Sequence, residues 1–100
     1  MSSSLLKRRL VDVADRLKRQ RAELVVAEEQ LRVVEDDAED ARLRALVSET
    51  PLADVEAREA RRHADALARH RDALVRSIAD LVAEQDALLD KIASELPSDA

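Results

Sequence analysis

The residues equipped for chemistry in this chain are two histidines, a few serines and many carboxylates, and their spacing limits what they can do. His63 and His70 stand seven residues apart. On a helix that is two turns, about 10 Å along the axis, too far for both to chelate one metal ion. Serine sits at the two ends and the chain middle apart from Ser77, which has no His–Asp pair arranged around it for nucleophilic catalysis. Cysteine is absent, which removes thiol catalysis, thiolate zinc sites and disulfides together. Glycine is absent too, so no loop can cradle a phosphate. The 22 Asp and Glu are spread along what read as solvated faces, with no apolar pocket to perturb them. The expectation is a protein without cofactor or metal, and not an enzyme.

The elements that position these residues come from periodicity. Charged residues make up 39% of the chain and aromatics 0%, so no aromatic-anchored globular core is available, whereas long helices suit this composition. Leu10, Leu17, Leu24 and Leu31 recur every seven residues, continued by Ala38 and Ala45. A companion row runs through Leu6, Val13, Gln20, Ala27, Val34 and Ala41. In the second half, Ala53, Ala60, Leu67, Leu74, Leu81 and Leu88 form one row and Ala57, Ala64, Arg71, Ile78, Gln85 and Ile92 the other. Alternating steps of three and four are the a and d positions of a coiled coil. Gln20, Arg71 and Gln85 break the apolar rows, a pattern that fixes register or oligomeric state.

Between the halves lies LVSETPLAD. Thr50 before Pro51 reads as a helix start, a hydroxyl at the cap and a proline where its missing N–H costs nothing. Pro97 reads as the stop of the second helix. The spacing predicts one helix over about 5–47, a turn at 48–50 and a second helix over about 51–96, one hairpin over residues 1–100. Fold-back is supported by arithmetic: Leu10 with Leu88, Leu17 with Leu81, Leu24 with Leu74, Leu31 with Leu67, Ala38 with Ala60 and Ala45 with Ala53 all sum to 98. Charge agrees. Residues 1–21 carry net +5 and 77–100 net −5, while 22–41 carry −7 and 57–76 carry +3. Opposite blocks face each other only if the chain folds back. Arg16 with Glu84, Arg44 with Glu56, Arg42 with Asp54 and Glu35 with Arg61 are the flanking pairs this register suggests.

The two ends of the hairpin differ. Near the turn the core is alanine, as in a finished two-helix stalk. At the open end Val75, Val82, Leu89 and Leu96 form a third row beside the leucines, and Val11, Ala14 and Val25 lie on the same side of the first helix. A two-helix seam needs only two rows, so a wider apolar face calls for another helix. The fold class expected is all-α: an antiparallel two-helix coiled-coil hairpin that dimerises into a four-helix bundle at its open end. Scattered surface valines are the plainer alternative. At the tip, Leu43, Leu46, Val47, Leu52 and Val55 fall outside the a/d rows, either as a contact head for a partner or as an apolar plug around a glycine-free turn.

Partners follow from these surfaces. The basic runs at 7–9 and 18–21 raise nucleic acid, but net charge is −5, the basic block faces an acidic one and no aromatic can stack on a base, so nucleic-acid binding is disfavoured. The start, MSSSLLKRRL, lacks a signal-peptide apolar core, and no run reaches membrane-span length. A cytoplasmic protein without a membrane role is expected. In size and topology the hairpin resembles the WXG100 family, but its turn reads SETP where that family has Trp-X-Gly, so no function carries over. With Glu49, Asp54 and Glu56 near its tip, it also resembles in architecture the coiled coil of Gre-type transcript-cleavage factors. That likeness implies a regulator docking its tip on a larger machine such as RNA polymerase. The primary expectation is a non-catalytic interaction or scaffold protein, a homodimer, working through helical surfaces.

Overall fold

The computed structural model describes residues 3–95, so Leu96 and Pro97 lie outside the described residues. Two long α-helices account for almost all of them: α1 over Ser3–Ser48 and α2 over Pro51–Glu95, with no strand among the described residues. Straight-chain residues and alanine fill both elements, and no glycine or internal proline interrupts them.

The turn is tighter than the sequence suggested, because Ser48 closes α1 and leaves only Glu49 and Thr50 between the helices. Four local hydrogen bonds accompany it. The Ser48 hydroxyl donates to the Arg44 carbonyl at 2.7 Å, and the Glu49 N–H to the Ala45 carbonyl at 3.1 Å. Glu49 then takes φ 51°, the left-handed conformation that usually belongs to glycine one step beyond a helix end. Thr50 caps α2: its Oγ1 accepts the Ala53 N–H at 3.2 Å and its carbonyl accepts the Asp54 N–H at 3.1 Å. Pro51 sits at the first helical position, and Asp54 adds a negative charge in the first turn, where the helix dipole favours it.

The chain divides into two compact units, one of 1–22 with 75–100 and one of 23–74, each built from a segment of both helices. In the first, the open-end unit, Leu6, Val13, Leu17, Leu81 and Leu88 form the core, with Leu10, Ile78, Val82 and Ile92 packed against it. These are the a/d rows in the expected pairing, except that Val82 comes from the third row. The second, the stalk unit, buries Ala27, Leu31, Ala38, Ala41, Ala64 and Leu74. Ala64 is 0% exposed, and a side chain as short as a methyl group is sealed only where the backbones approach closely. Every buried hydrophobic residue belongs to an a or d row.

Polar flanks follow the sequence less closely. Arg61 reaches across the stalk seam to Glu35 at 2.8 Å, as the register suggests. Glu84, however, is held by Arg9 at 2.8 Å rather than by Arg16, and Arg42 turns to Glu39 on its own helix at 2.7 Å rather than to Asp54. No ion pair joins Arg44 to Glu56 among the described residues. A core layer is fixed by packing, but an exposed arginine can swing to whichever carboxylate is nearest in the low-cost solvent environment.

Candidate interaction surfaces

The open-end unit brings together Val11, Ala14, Val75, Val82 and Leu89. Val82 is half-buried, its inner side against the core, whereas Val11 is 61% exposed and Val75 and Leu89 are each 47% exposed. Lys7 and Arg21 occupy the flanking row of α1 opposite Leu89 and Val75. Val25, which the sequence grouped with this face, falls in the stalk unit and is 69% exposed.

Lys7, Lys18 and Arg21 border the face on α1 and Asp86 borders it on α2, with Arg8 and Asp15 on α1 and Arg76 and Asp90 on α2 one row farther out. All are exposed, and none joins an ion pair among the described residues. Arg9 and Glu84, already paired, lie on the opposite flank of the seam.

At the tip, Leu43, Leu46, Val47, Leu52 and Val55 are 39–86% exposed, with Val47 the most open. None of these side chains takes part in the hydrogen bonds and the cap that close the turn. Next to them the stalk carries a shallow groove floored by Ala38 and Ala57 and rimmed by Arg42, Arg58, Arg61 and Arg62. Part of this rim is neutralised. The Arg42 guanidinium bonds Glu39 and holds that carboxyl below its ordinary range, while its own value is raised in return. Arg61 is raised by its bond to Glu35, with Asp65 adding to the effect. Arg58 and Arg62 have no ion pair among the described residues.

His63 lines a second shallow groove with Gln30, Val33 and Val34, and His70 is exposed. No cluster of three or more His, Cys, Asp or Glu able to hold a metal ion exists among the described residues. No helix among them is long and apolar enough to cross a membrane. Sequence reasoning passed over Val26 and Val33, 54% and 52% exposed on the other flank of α1. Their seven-residue spacing was the available signal, but Arg19 and Asp40 on either side of the pair break that row. Comparison of the chain with protein-family models, with curated proteins and with solved structures gives no match.

Proposed function

We propose that this protein is a non-catalytic coiled-coil interaction module that self-associates through the apolar face of its open-end unit, two copies forming a four-helix bundle. One observation carries the reading: Val11, Val75 and Leu89 remain 47–61% exposed around a half-buried Val82, beside a core that already satisfies both a/d rows. Two helices have more apolar surface here than they can cover, and a bundle core buries it. The contact is small. The α1 segment of this unit spans about 30 Å at 1.5 Å per residue, and a layer two helices wide is about 20 Å across, giving roughly 600 Å² per copy. That is the lower edge of specific interfaces, so association depends on concentration.

The test is absolute mass by light scattering across a concentration series, with refractive-index detection because the chain has no Trp or Tyr. Wild type should approach about 22 kDa, twice the 11.2 kDa chain. Leu89→Asp should remain monomeric at the same concentrations with its helical circular dichroism intact. A wild-type mass that stays at one chain throughout removes the proposal.

The tip supports a second reading, in which the module docks Leu46, Val47 and Leu52 on a larger protein machine. The observation favouring it is their exposure, 62%, 86% and 68%, at a turn that closes without them. Changing the three to polar residues would abolish partner binding while sparing assembly and fold.

A further inference from the structure

Resting on the proposed dimer, the distribution of unpaired charge points to its sense: we infer that the two open-end units stack about a two-fold axis running along the helices. In that arrangement α1 of one copy lies on α2 of the other, and both hairpins open in the same direction.

Two two-helix layers related by a two-fold axis can stack in two ways. An axis along the helices exchanges left and right, so α1 covers α2 of the second copy. An axis across the helices, in the plane between the layers, keeps left on left. It then lays α1 on α1 and α2 on α2 with the directions reversed. Apolar contact is available to both, and charge separates them. In the open-end unit the described part of α1, 3–22, holds seven Lys and Arg against Asp12 and Asp15, net +5. The described part of α2, 75–95, holds Arg76 and Lys91 against five acids, net −3. The reversed stack presses the +5 segment on its own copy; the same-sense stack presses it on the acidic one.

The side chains at the face carry the same asymmetry. Lys7, Lys18 and Arg21 on α1 and Asp86 on α2 form no ion pair among the described residues. In the same-sense dimer the row of Val11 and Lys18 on α1 lies over the row of Asp86 on α2 of the other copy, twice by symmetry. An isologous contact of this kind is complementary to itself, which selects a second copy of this chain as the occupant over an unrelated apolar helix.

The chain has no cysteine, so single spin labels can be placed cleanly. Ala22→Cys and Ser94→Cys are both exposed positions in the open-end unit, about 27 Å apart along the seam at 1.5 Å per residue. Each labelled variant is measured by pulsed electron spin resonance, with light scattering on the same sample. In the same-sense dimer each label and its mate share one level, so both separations stay within the bundle width, about 20–25 Å. In a reversed dimer the axial separations at the two sites sum to at least about 54 Å, so at least one exceeds about 27 Å before any lateral offset. Dimer mass with two short separations supports the inference. Dimer mass with one or both long overturns it and leaves the proposed function standing. Monomer mass overturns the dimer itself.

Discussion

Gln20 offers a sharp test of how the seam is held together. It occupies a d position in the open-end unit, where register sets it opposite Ile78, and its Oε1 is buried without a hydrogen-bond partner. A buried carbonyl oxygen that has left water and gained nothing costs about 1–3 kcal/mol. Gln20→Leu removes that oxygen at nearly constant volume and adds apolar atoms to the surrounding layer of Leu17, Leu81 and Ile78. No lost hydrogen bond of the amide opposes the gain, since the Gln20 side chain forms none among the described residues. The variant should therefore be more stable by about 1–3 kcal/mol, and each kcal/mol raises the midpoint by about 4–8 °C for a domain of this size. The assay is urea and thermal unfolding followed by circular dichroism at 222 nm, at one fixed protein concentration so that any association contributes equally. A Gln20→Ala control removes the oxygen but leaves a void, and should fall below Gln20→Leu. An unchanged or lower midpoint for Gln20→Leu, with the urea slope unaltered, would refute the claim that this oxygen is an uncompensated cost.

Two further predictions address the turn and the stalk. Glu49 sits at φ 51° with a Cβ, so Glu49→Gly should raise the urea midpoint, the relief of about 1–2 kcal/mol being offset in part by the greater freedom of glycine in the unfolded chain. A lower midpoint would mean the left-handed residue is not strained. Glu39 has its carboxyl lowered by its hydrogen bond to Arg42, so its contribution to stability is present above its ordinary value of 4.5 and is lost as pH falls through the lowered folded value. Wild type should therefore lose more of its thermal midpoint between pH 6 and pH 3 than Arg42→Ala does, and equal losses would exclude the pair as a contributor. The effect is small because both groups are exposed and screened.

The sequence by itself determined the two helices, the point where the chain turns and the membership of the core. Heptad spacing is a property of covalent order plus helical pitch, so every buried residue from Leu6 to Leu88 could be read from the rows. Thr50-Pro51 marked the start of α2 because cap chemistry is local, and the structure adds only its hydrogen bonds. Apolar residues outside those rows were legible as such, and Val11, Val75 and Leu89 among them are 47–61% exposed. Tertiary structure decided what depends on distance rather than order. It placed Glu49 in the left-handed region, chose Arg9 over Arg16 for Glu84, and drew Val82 partly into the core. It also left the Gln20 oxygen without a partner, which the row alone could not show. The reason is physical: periodicity fixes which face of a helix turns inward, whereas a rotamer, an ion pair or an unsatisfied atom is settled only by what the other helix brings within about 3 Å.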